Sequence, residues 1–142
     1  MTTNKQDYAA LSDRELTQAV AERQGWRELD WFGYEIELEN GPYKKVFWEG
    51  TNPEIGEEHE QVPDYATDPA AALELLREMN EAAPHGGDRY TLGYDRFTKL
   101  YSVEAVSIFG KVDDVRFGGD VKPARACCLA WLMWRDEQVA AR

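Results

Sequence analysis

A chain of 142 residues with 43% hydrophobic and 12% aromatic content is large enough to bury a core without staples, which excludes a disordered tail. Its net charge of −11 repels nucleic-acid backbones and argues against general DNA or RNA binding. It has no run of about 18 apolar residues to cross a membrane and no apolar core near Met1 to act as a secretory signal, so the expected place is the cytoplasm.

The charge is divided unevenly. Residues 1–88 hold 7 Lys/Arg against 20 Asp/Glu, and residues 89–142 hold 9 against 7. The acidic half serves solubility, or it meets a basic protein surface. Residues 1–10 read as a flexible leader to a single domain over 11–142. Ser12-Asp-Arg-Glu15 has capping-box form and predicts a helix start. Leu16, Ala19, Val20 and Arg23 continue its stripe, and Gly25 is placed to end it.

Trp26 to Gly50 reads as a hairpin. Tyr34 to Glu39 alternates at period two, which sends Ile36 and Leu38 to a core and Glu35, Glu37 and Glu39 to water. Asn40-Gly41-Pro42 marks the reversal, and Lys44 and Lys45 return across from the glutamates. Thr51 to Gln61 is polar, with breakers, and reads as an exposed loop. A second helix is expected over Asp68–Asn80, capped by Thr67 or Asp68, with Pro69 in its first turn. Leu73, Leu76 and Met79 or Asn80 then fall at helical spacing.

Pro84 to Asp88 is a turn cluster. Strands are expected over 90–94, 97–101, 103–109 and 112–117, with a turn at Asp95-Arg96 and with Gly110 and Gly118-Gly119 as punctuation. Pro123 to Gln138 is an apolar helix started by Asp120 and Pro123 and carrying Leu129, Leu132, Met133, Trp131 and Trp134. The pattern predicts an α+β fold, one antiparallel β-sheet covered by helices, as an α/β/α sandwich.

Three pieces carry a family resemblance: Glu22-Arg-Gln-Gly-Trp26, Tyr65-Ala-Thr-Asp-Pro-Ala-Ala-Ala-Leu73 and Pro123-Ala-Arg-Ala-Cys-Cys-Leu-Ala-Trp-Leu132. In order and spacing they are similar to the phage ABA sandwich domain family, small bacteriophage and prophage proteins largely of unknown function. The resemblance spans about residues 12–135. The adjacent cysteines and the segment 51–62 depart from the family pattern. The resemblance implies a layered sandwich and a phage setting in a host cytoplasm. It carries over no catalytic residue.

The reactive groups read mostly as structure. His59 in Glu57-Glu-His-Glu60 lacks the i, i+4 spacing of a helical zinc site and suits a solvated acidic loop. His85 in Pro84-His-Gly-Gly87 lies beside glycine N–H groups, but no Gly-x-Ser-x-Gly accompanies it, and a turn explains it. Cys127 and Cys128 are neighbours in an apolar helix, pointing about 100° apart, and read as small core residues. Asp113 and Asp114 point to opposite faces of a strand. No catalytic residue, metal or cofactor is expected.

The candidate ligand site is Lys111, Arg116, Gly118, Gly119, Lys122 and Arg125. Gly-Gly leading into a helix presents N–H groups at its positive end, and Arg125 can bind phosphate in bidentate fashion. The alternative is that these cations pair with the acidic half. Trp48, Tyr94 and Trp134 serve either as stacking surface or as core.

The expected function is a phage or prophage non-catalytic binding protein, a host-defence inhibitor that sequesters a small anionic, nucleotide-like signal. The second expectation is an acidic protein–protein inhibitor of a basic, nucleic-acid-binding host protein. A third, a hydrolase using His85 or Cys127, has the least behind it. Direct nucleic-acid and membrane binding are not expected, and a homo-oligomer is compatible with the chain.

Overall fold

A computed structural model describes residues 7–54, 56, 59–82, 89–106 and 112–140, with 106, 112–118 and 140 described by backbone alone. The Ser12 side chain accepts the Glu15 N–H at 3.1 Å, and the Glu15 carboxylate accepts the Ser12 N–H at 3.1 Å. This capping box starts α1 (Asp13–Gln24), which Gly25 ends at φ 98°, a left-handed conformation that costs glycine little. α1 buries Leu16, Thr17, Ala19, Val20 and Ala21.

A single helical turn, Tyr8–Ala10, precedes α1. Tyr8 falls within the segment expected as a leader, yet it is buried. Its hydroxyl donates to the Asp136 carboxylate and accepts from Arg23 Nη2 at 2.9 Å.

The predicted hairpin forms as β1 (Arg27–Leu38) and β2 (Gly41–Thr51), with Leu38 opposite Gly41. Contrary to the loop expected over 51–61, a short strand β3 (His59–Gln61) extends the sheet in the order β1-β2-β3. α2 (Pro69–Ala82) begins after Asp68, whose carboxylate accepts the Ala70 N–H at 3.0 Å. Its buried stripe is Ala72, Leu75 and Met79, while Leu73 is exposed. Of the expected stripe, Met79 is buried and Leu76 packs partly buried against the core, whereas Ala72 and Leu75 take the inward places expected of Leu73. Alanine-rich sequence leaves the small inward residue and the large outward one hard to tell apart.

The second sheet has the order β4-β5-β6, from Arg89–Asp95, Leu100–Val106 and Val112–Asp120. Asn80 ties α2 to it, accepting the Tyr90 N–H at 2.7 Å and donating to the Tyr90 carbonyl at 3.0 Å. α3 (Pro123–Ala140) packs against α1, α2, β5 and β6. Its central position explains why every residue from Ala124 to Leu132 is buried, cysteines included. The fold is α+β, with two small antiparallel sheets in place of the single sheet expected.

The division has a consequence for exposure. The second sheet is covered by α3 and α2, whereas among the described residues the first is anchored at its Trp31 and Trp48 end. There Trp48 is buried, its Nε1 donates to the Arg14 carbonyl at 2.9 Å, and Trp31 meets it edge-on at 5.2 Å between centroids. The Arg14 guanidinium sits 4.6 Å from the Trp31 ring centre. Beyond this anchor the ribbon stands in solvent. Ile36 and Leu38, expected to enter a core, are exposed.

Candidate functional site

The predicted anion site is largely dismantled by its own neighbours. Arg125 is 9% exposed. Nη1 donates to Asp13 at 2.7 Å, Nε to Asp120 at 3.0 Å, and Nη2 to the Leu11 and Ala9 carbonyls at 2.9 and 3.4 Å. Burial alone lowers its pKa, but hydrogen bonds to Asp13 and Asp120 outweigh that and hold it firmly protonated. The side chain ties the start of α3 to the start of α1.

Asp120 also accepts the Lys122 N–H at 2.9 Å. Asp120 thus places the chain's own negative charge beside the start of α3, where the helix dipole favours it. Gly118 and Gly119 do not form the loop into the helix. They belong to β6, where the register moves from Val103 opposite Phe117 to Tyr101 opposite Asp120, the signature of a bulge. Both glycines thus precede Pro123, the first residue of α3, within the strand rather than in a loop into the helix.

Lys122 is exposed, with Nζ 4.0 Å from Asp13. Arg116 is described by backbone alone, within β6, and Lys111 lies outside the described residues. The structure brings Lys122 and Arg125 together around Asp13, and so joins these two cations to the acidic half.

A different surface stands out at the ribbon. Phe32, Tyr34, Ile36 and Leu38 share one face of β1, with Phe47, Lys45 and Tyr43 beside them on β2 and Lys45 Nζ 5.9 Å from the Phe47 ring centre. Phe32 and Phe47 stack at 6.2 Å, and Tyr34 meets Phe47 edge-on at 5.9 Å. Exposures of 44, 44, 42, 57 and 51% for Phe32, Tyr34, Ile36, Leu38 and Tyr43 leave roughly 400 Å² of apolar surface in water. That is the size of the largest patches on ordinary monomers, which are often functional.

The opposite face carries Glu35 across from Lys44, and Glu37 across from Pro42. The period-two alternation predicts Ile36 and Leu38 in a core, whereas both stand in solvent. The available signal was length: 12- and 11-residue strands outrun the helices able to cover them.

Among the described residues, His59 has carboxylate partners and both cysteines are buried. His59 Nε2 lies 3.2 Å from Glu28 Oε2, and Nδ1 lies 3.7 Å from Glu49 Oε1. Hydrogen bonds from His59, then Thr51, hold the exposed Glu28 carboxyl below its ordinary pKa. Among the described residues, no three His, Cys, Asp or Glu side chains are grouped to hold a metal. His85, Glu57 and Glu58 lie outside the described residues.

Burial pushes the Cys127 thiol up to about 11 and raises Cys128 further, so neither is poised as a thiolate. Cys127 borders an apolar cleft of about 70 Å³ with Leu73, Leu92 and Ala124, well below the roughly 300 Å³ at which small-molecule sites begin. Trp48 and Trp134 are buried, whereas Tyr94 is exposed and packs on Tyr101 at 4.9 Å. Among the described residues, no helix is long and apolar enough to cross a membrane.

No protein-family model matches the chain, and neither curated proteins nor solved structures yield a match.

Proposed function

We propose that this chain is a non-catalytic binding protein that captures a basic protein partner on the β1–β2 ribbon. The observation that carries this reading is the exposed row Phe32, Tyr34, Ile36 and Leu38 on a strand whose other face is acidic. Exposed aromatic side chains supply the anchors typical of binding hot spots. Surrounding carboxylates select the charge of the partner and speed its approach.

Of the two ligand classes expected from the sequence, a small nucleotide loses its principal cation to Asp13 and Asp120. For a basic protein, the exposed apolar row remains, with Glu37 across from Pro42 rather than from a cation. The resemblance to phage sandwich proteins supports a host protein as that partner, and inhibition as the outcome.

The test compares the wild-type chain with Glu35→Lys/Glu37→Lys/Glu39→Lys as bait in host lysate, at about 0.05 M and about 0.5 M ionic strength. A basic protein held by wild type at low salt, released at high salt and ignored by the variant supports the proposal. Equal retention by both baits, or none at low salt, overturns it. Calorimetric heat from cyclic or ADP-ribose-type nucleotides, abolished in Lys122→Ala, would restore the nucleotide instead.

A further inference from the structure

Resting on the protein-partner reading above, we infer that the partner binds as an extended basic segment that adds a strand to the outer edge of β1. In the sheet order β1-β2-β3, β1 is the outermost strand, so every second residue turns its backbone N–H and C=O away from β2. The ladder to β2 is continuous from Asp30 to Leu38, and the only irregularity lies between Arg27 and Asp30. Nine residues of straight edge give about 30 Å of template.

Natural edges are commonly blunted by proline, lysine, bulges or a covering element. The stretch from Asp30 to Leu38 contains neither proline nor lysine. Among the described residues, no strand other than β2 pairs with it.

The side chains specify the visitor. On one face an added strand meets Phe32, Tyr34, Ile36 and Leu38, so apolar residues at every second position extend that row. On the other face it meets Gly33, Glu35 and Glu37. Glu37 has Pro42 rather than a cation across the hairpin. Lysine or arginine at the alternate positions then lies opposite the two carboxylates, the favourable cross-strand arrangement. The pattern is an alternation of apolar and basic residues, the strand-addition mode of peptide recognition.

A second copy of this chain suits the edge poorly. β1 holds Arg27 against Glu28, Asp30, Glu35 and Glu37, and each chain is −11 overall. Self-pairing therefore joins two edges of the same sign.

The experiment titrates the full chain with a labelled peptide of about ten residues alternating lysine and valine. A second peptide has the same sequence but is N-methylated at each internal residue, which keeps side chains and charge but removes backbone donors. Strand addition predicts that methylation weakens binding by at least about tenfold. It also predicts that the parent peptide protects amides between Asp30 and Leu38 from hydrogen exchange.

Equal binding of the two peptides, lost in Glu35→Lys/Glu37→Lys, overturns strand addition while the acidic ribbon remains a docking surface. Binding of neither peptide also overturns it, and the lysate comparison then judges the broader reading separately. Concentration-dependent dimerisation that protects the same amides without peptide would assign the edge to a second copy and overturn the inference.

Discussion

Arg125 illustrates how a residue's chemistry is set by what faces it. In the sequence it stands three positions after Lys122 and reads as half of an anion clamp. In the fold it is the buried member of a cluster with Asp13 and Asp120, whose side chains are 38 and 14% exposed. Removing one partner of such a cluster strands the others, which costs more than the cluster itself contributes. Arg125→Ala should lower unfolding free energy by about 3 kcal/mol, with allowance for the partial exposure of Asp13. A urea titration checks this through a lower midpoint at unchanged slope; a change under about 0.5 kcal/mol would refute the buried-staple role. Ser12→Ala tests a purely local contact, and loss of the cap should cost about 1 kcal/mol by the same titration.

At the scale of elements, legibility followed the range of the interaction. Helix starts were readable because Ser12 and Glu15, or Asp68 and Ala70, complete their bonds within two or three residues. Gly25 ended α1 for the same reason. Strand faces were only half readable: period two separates Phe32, Tyr34, Ile36 and Leu38 from Glu35 and Glu37, but it does not say whether anything covers either side. Phe97 was expected to open a strand. It lies instead in the turn between β4 and β5, with its N–H on the Asp95 carboxylate at 2.8 Å, and is 97% exposed. The candidate site was the least readable, because Asp13 lies 112 residues before Arg125 and no local pattern encodes such a meeting. The ribbon itself gives a gradient to measure. A two-stranded hairpin without a covering layer is marginal in water. Amides near Tyr34 and Tyr43 should exchange orders of magnitude faster than those near Trp31 and Trp48, where the anchor lies. Uniform protection along the ribbon would mean that something covers its far end in solution. Trp48→Ala should release the anchor, losing about 3–5 kcal/mol and removing protection at Trp31 as well.

For the whole molecule, buried tyrosines and cysteines set an alkaline limit. Burial, then hydrogen bonding to Asp136, pushes the Tyr8 hydroxyl up to about 12, and burial does the same to Tyr65. Burial brings the Cys127 thiol to about 11 and raises Cys128 further. Each group ionises at lower pH in the unfolded chain than in the folded one, with reference values of 10.0 for tyrosine and 9.0 for cysteine. Between those limits the native state binds more protons than the unfolded state, so unfolding free energy decreases as pH rises. The contribution is complete below about pH 9 and declines first through Cys127, then through the tyrosines and Cys128. Each tyrosine accounts for at most about 3 kcal/mol of that decline. Urea midpoints under reducing conditions should therefore show little change from these groups from pH 7 to 9 and then fall steeply. Surface lysines also titrate in this range and make an acidic chain more negative, so the diagnostic quantity is the difference between variants. Tyr65→Phe should flatten the alkaline limb. Tyr8→Phe should flatten it too, while losing about 1 kcal/mol at neutral pH with the bond to Asp136. If both variants keep the wild-type slope between pH 9 and 12, burial of these hydroxyls is not what limits the fold at high pH, and the cluster of Tyr8, Arg23 and Asp136 is more open to water than its geometry indicates.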